Sequence, residues 1–190
     1  MAIDLNGYRI TVLCEDKNQY DFICAYAKLL GVDNRKITKL PAYNNATVLK
    51  HYPNAVKSYR KYAAQNIILV IMIDADKKTI QERFREFDEK LDIEKFKLNQ
   101  DTRYDNEKIL IFIPIRNIES WFYYIDTKNI DGEIQRDGDG NLISYKNKYQ
   151  NKEINVNLLA KKLKEEICPN GLPQNAPSSL HHACNELNRL

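Results

Sequence analysis

The chain has 190 residues, enough for one domain with a substantial core, and its 43% hydrophobic against 29% charged residues marks it as globular rather than disordered. A net charge of +3 admits a polyanionic partner but falls short of the strongly basic composition of a dedicated nucleic-acid binder. No apolar run approaches ~18 residues and no charged-then-apolar leader opens the chain, so no membrane partner is expected. Cys14, Cys24, Cys168 and Cys184 lack C-x-x-C spacing, and Cys14 and Cys24 read as small core residues. A reducing cytoplasm is the expected compartment.

Taken in chain order, residues 9–14 (RITVLC) form a β-branched apolar run that stops at Glu15-Asp16. Residues 20–30 carry Phe22, Ile23, Tyr26, Leu29 and Leu30 at helical spacing, with Gly31 as the stop. Residues 37–40 suggest a short strand before Pro41, and residues 45–64 a helix with Pro53 as a point of interruption. Residues 67–73 (IILVIMI) are continuously apolar, as in a strand buried on both faces of a parallel sheet, and they end in Asp74-Ala75-Asp76. Residues 79–91 place Ile80, Phe84, Phe87 and Leu91 on one helical face. A second buried strand over 108–113 is broken by Pro114, and a short aromatic helix over 118–125 follows.

That alternation of strand and helix predicts an α/β fold, a Rossmann-like, mostly parallel sheet flanked by helices. The core spans about residues 8–126 of a single domain. A β-hairpin insertion is expected over about 131–150, around Asp137-Gly138-Asp139-Gly140-Asn141, and C-terminal helices over about 155–190. The Asp-Gly repeat is not a calcium loop, because Leu142 stands where glycine is required and Lys148 where the final glutamate belongs.

In a parallel sheet every strand delivers its C-terminal end to one edge, where ligands bind. Three strands carry acids there: Glu15 and Asp16 after the first, Asp74 and Asp76 after the central one, and Glu119 beyond Pro114-Ile115-Arg116-Asn117. Gathered carboxylates repel unless a cation neutralises them, and hard oxygen ligands suit Mg²⁺ or Mn²⁺. On an extended chain, residues i and i+2 point the same way, so Asp74 and Asp76 are expected to act together. Each acid also has a plainer reading: a D-x-D turn, a cap from Glu15-Asp16, or Glu119 complementing a helix dipole.

Glutamate closing the first strand followed by D-x-D closing a central strand resembles the Toprim domain, shared by topoisomerases, primases and overcoming-lysogenization-defect nucleases. The segment Pro114 to Trp121 is similar to the P-x-x-x-x-E-x-W stretch of small stand-alone Toprim-like proteins of prokaryotic defence and abortive-infection systems, some encoded beside an ATPase. Pro177-Ser178-Ser179 resembles a further feature of that group. The resemblance implies a Mg²⁺- or Mn²⁺-dependent endonuclease acting on DNA or RNA, with Glu15, Asp74, Asp76 and Glu119 as metal ligands and Glu15 as the base. Asp16 stands where many members carry glycine, and no tyrosine-bearing cleavage domain accompanies the motif, so topoisomerase activity is not expected. A catalytically degenerate subunit that binds a partner ATPase or nucleic acid is the alternative. A homo-oligomer is compatible with either.

Lys78, two residues past the D-x-D, is a candidate catalytic cation, and Lys17 and Arg116 are candidate substrate-binding cations at the same edge. The lysine-rich stretches around residues 57–61, 146–152 and 161–164 read as solvated faces. The aromatic run Trp121 to Tyr124 reads as core before it reads as a base-stacking platform. His181-His182 has no partner at metal-binding spacing, and no G-x-G-x-x-G or G-K-[ST] loop is present to cradle a nucleotide.

Overall fold

The computed structural model describes residues 3–98, 102–128, 138–139, 155–167, 172–174 and 176–190. Its sheet consists of β1 (Arg9–Cys14), β2 (Ile37–Lys39), β3 (Ile67–Met72) and β4 (Ile109–Phe112), in the order β2-β1-β3-β4. All three pairings are parallel. The helices are α1 (Lys17–Leu29), α2 (Asn45–Tyr62), α3 (Ile80–Leu98), α4 (Ile118–Thr127), α5 (Val156–Lys162), which runs on into a π-turn (Leu163–Ile167), and α6 (Ser178–Leu187). The α/β class and its parallel sheet are therefore as expected. The expected hairpin falls almost wholly outside the described residues.

Strand alternation splits the core in two. Ile10, Val12, Cys14, Ile68, Val70, Met72, Leu110 and Phe112 face one side and pack with α1, α4, α5 and α6. Leu13, Leu69, Ile71, Ile73, Ile109 and Ile111 face the other and pack with α2 and α3. Strands β3 and β4 are apolar on both faces because both faces are covered. The order reverses between β1 and β3: the chain leaves β1 toward β2 through α1 and returns through α2 to β3. That reversal is the switch point where doubly wound sheets form their ligand crevice.

Two local features depart from the sequence pattern. Helix α2 runs unbroken through Pro53, which is itself buried beside Val48, Leu49, Tyr52, Ala55, Val56 and Tyr59. Burial of that face outweighs the one helical hydrogen bond a proline removes. The outer edge of β4 is closed by side chains. Glu186 Oε2 of α6 accepts from Ile111 N at 2.8 Å, and Arg103 Nη1 donates to Ile109 O at 3.0 Å. Arg103 and Glu186 form an ion pair with each other, with side chains only 14% and 7% exposed. An edge strand otherwise presents such groups to another chain, so this pair blunts it.

Candidate functional site

Hydrogen bonding carries the β3–β4 pairing past the strand ends, from Ile73 N to Phe112 O (3.1 Å) and from Ala75 N to Pro114 O (2.8 Å). The Asp74–Asp76 segment is thereby held beside the turn that leads into α4. On its other side lies the end of β1, where Glu15 Oε1 accepts from Asp74 N at 2.6 Å. Glu15 and Asp74 thus meet at the switch point.

The first turn of α1 ties the rest together. Asp16 is the N-cap, its Oδ1 accepting from Gln19 N at 2.9 Å. Asp16 serves as the cap, which leaves Glu15 to reach across to β3. Gln19 is wholly buried. Its Oε1 accepts from Glu15 N (3.0 Å) while its Nε2 donates to Asp74 Oδ1 (2.8 Å). Asn18, the preceding residue, donates to Glu119 Oε1 at 3.1 Å. Consecutive α1 residues therefore hold Asp74 and Glu119, and the positive end of the α1 dipole lies among the carboxylates.

Asp74 and Glu119 are 3% and 5% exposed, which is unusual for carboxylates. The second oxygen of Glu119, Oε2, is buried and has no hydrogen-bond partner among the described residues. Nearby in sequence, Asn117 occupies the α4 N-cap position but makes no capping bond, and its Oδ1 is likewise buried and unpartnered. Burial pushes the Glu15 carboxyl up to about 7. The Asp74 N–H opposes that rise, while the Asp76 and Asp16 carboxylates add to it.

Asp76 departs from the sequence reasoning. Strand β3 ends at Met72, and Asp76 sits in the left-handed region at φ 55°, so it shares no extended segment with Asp74. It is exposed, accepts from Asn45 Nδ2, and pairs with Arg83 Nη2 at 3.3 Å. Arg83 is 4% exposed and also donates to Glu86 at 2.8 Å. Of the candidate cations, Lys78 and Arg116 line one cleft with Asp76. Lys78 pairs with Glu86, and Lys17 pairs with Asp21 one turn along α1 at an exposed position. Arg116 is half-buried in the turn after β4, also left-handed, at φ 68°.

Among the described residues no three His, Cys, Asp or Glu side chains converge closely enough to hold a metal ion. Glu15, Asp74 and Glu119 nonetheless fit a hard divalent cation in kind: all are carboxylates, and one carries a buried oxygen with nothing bonded to it. The aromatic run is core, since Trp121, Phe122, Tyr123 and Tyr124 are all buried and Trp121 Nε1 donates to Ser179 Oγ at 2.7 Å. Cys14 and Cys24 are buried free thiols, while Cys184 is disulfide-bonded. No helix among the described residues is long and apolar enough to cross a membrane.

Sequence reasoning missed Gln19, Asn18, Asn45 and Arg83. For Arg83 a signal existed, because it interrupts the apolar stripe of Ile80, Phe84, Phe87 and Leu91 at i+3. The polar amides carry no such mark. Fold and site together define a doubly wound α/β domain with buried carboxylates at its switch point. No family model, no curated protein and no solved structure matches the chain.

Proposed function

We propose that this protein is a Toprim-type nuclease, dependent on Mg²⁺ or Mn²⁺, that cleaves phosphodiester bonds of DNA or RNA. The observation that carries the reading is the unbonded, buried Glu119 Oε2 in a site where Glu15 and Asp74 already touch. A buried carboxylate oxygen with no donor is costly, and a cation is the partner that removes the cost. When bound, a divalent cation supplies charge neutralisation and Lewis acidity toward a phosphoryl oxygen. Glu15, whose carboxyl titrates near neutrality, is suited to take a proton from attacking water. Gln19 keeps Asp74 oriented, and Arg116 lies at the same edge for phosphate. A role as effector of an antiphage defence system, alongside an ATPase from the same operon, extends this reading.

A second reading, a catalytically degenerate subunit that binds a partner ATPase or nucleic acid, is favoured by one observation. Asp76 is engaged by Arg83 and Asn45 rather than turned toward Asp74. The test is incubation of the purified protein with plasmid, single-stranded DNA and total tRNA, each with EDTA, Mg²⁺ or Mn²⁺, beside Asp74→Ala. Metal-dependent cleavage that the variant loses, with its fold intact, supports the nuclease. Thermal stabilisation by Mg²⁺ with no cleavage of any substrate supports the subunit.

A further inference from the structure

A cleft of ≈ 730 Å³ opens beside the carboxylate edge. One wall is the turn after β3, with Asp76, Lys77 and Lys78; another is Arg116 in the turn after β4; the third is α6, from which His181 and Asn185 line the space. Asp76 belongs to both the cleft and the acidic edge, so the two are continuous. The Ala75 N to Pro114 O bond holds the first two walls together, and each carries a left-handed residue, Asp76 and Arg116. Non-glycine residues in that conformation cost energy and concentrate at ligand clamps.

The chemistry of the described lining favours anions. Lys77, Lys78 and Arg116 line the space with one carboxylate, Asp76; Arg83 pairs with that carboxylate, and Glu86, outside the lining, pairs with Lys78, so positive charge still exceeds negative. Helix α6 starts at the cleft with Ser178 and directs the positive end of its dipole there. Asn185 adds a side-chain amide that hydrogen-bonds without charge, and His181 lines the cleft with its Nε2 held against Pro173 O at 3.0 Å. The volume is that of a site for a drug-sized ligand: a nucleotide unit fits, and a duplex does not.

We propose that this cleft takes the sugar-phosphate backbone of a single nucleic-acid strand, beside the bond presented to Glu15 and Asp74. The nuclease reading supplies the identity of the polyanion; the cleft, its charge and its walls stand without it. The phosphodiester chemistry is shared by DNA and RNA, so both are probed.

Asn185 is exposed, lies within α6 and has no part in the carboxylate cluster, and both lysine and glutamate suit a helix there. Fluorescein-labelled oligo(dT) and oligo(rU) are titrated in EDTA against the wild type, Asn185→Lys and Asn185→Glu, with fluorescence anisotropy as readout. Asn185→Lys is expected to tighten binding and Asn185→Glu to weaken it, each by about 3- to 10-fold. The salt slope should change by roughly one ion in opposite directions. The oligomer that responds identifies the strand. Equal affinity across all three proteins overturns the proposal, as does a wild type that binds neither oligomer at low salt. Charge-dependent binding without any cleavage removes the nuclease and leaves the cleft; cleavage with no response to Asn185 charge does the reverse.

Discussion

At the scale of the residue, the site is governed by what a few polar side chains do for one another. Gln19 is placed where its amide serves the backbone of one acid and the side chain of another, so Glu15 and Asp74 are positioned by a group that itself carries no charge. Glu15 is the residue whose titration reports on this. Its carboxyl is raised from 4.5 to about 7, so the folded state holds its proton more tightly than the unfolded one. Below about pH 4.5 both states are protonated and nothing is lost. As pH rises toward 7 the folded state becomes progressively disfavoured, by roughly 1.4 kcal/mol per unit and about 3 kcal/mol at most, and above 7 the loss is complete. Glu15→Gln keeps an acceptor for Asp74 N and removes the charge. In EDTA it should unfold at higher urea than the wild type near pH 8 and match it near pH 4.5. Parallel urea midpoints at both pH values would contradict this account of Glu15.

At the scale of the element, the strands were the most legible. Continuous apolar runs such as IILVIMI mean burial on both faces, and β3 has that, between α2 and α3 on one side and α1, α4 and α6 on the other. Helix α2 shows the limit of local signals, since Pro53 marks a break that tertiary burial overrides. The closure of β4 by Arg103 and Glu186 was not legible, because the two residues stand far apart in the chain and each alone reads as surface charge. Glu186→Ala strips Ile111 N of its acceptor and leaves the Arg103 guanidinium buried without its carboxylate. A loss of about 3–5 kcal/mol in urea unfolding is expected. Glu186→Gln, which keeps an acceptor, should lose less. A loss below about 1 kcal/mol for the alanine variant would mean that the pair does not hold the edge.

At the scale of the whole molecule, strand order decides what the acids can do together. In β2-β1-β3-β4, β1 and β3 are neighbours although α1, β2 and α2 separate them in sequence. Strand β3 is paired on both sides and covered on both faces, whereas β2 has three residues and one described neighbour. Amide exchange should therefore be slowest in β3 and markedly faster in β2, in proportion to how much of the sheet must open to expose each. Comparable protection of the two would argue against this strand order.

The sequence by itself determined the class of the fold, the parallel direction of the four sheet strands, and which of their ends carry carboxylates. Those properties follow from apolar periodicity and chain order, which are local. Only the tertiary structure decided which carboxylates meet. It joined Glu15 to Asp74 through a backbone N–H, handed Glu119 to Asn18, and turned Asp76 through a left-handed residue toward Arg83. It also assigned the amides of Gln19 and Asn18 to hold that arrangement, and set α6 against the D-x-D turn to form a cleft. Side-chain hydrogen bonds are short-ranged and directional, so they depend on which residues the packed sheet brings within about 3 Å, and that distance is not encoded in spacing along the chain.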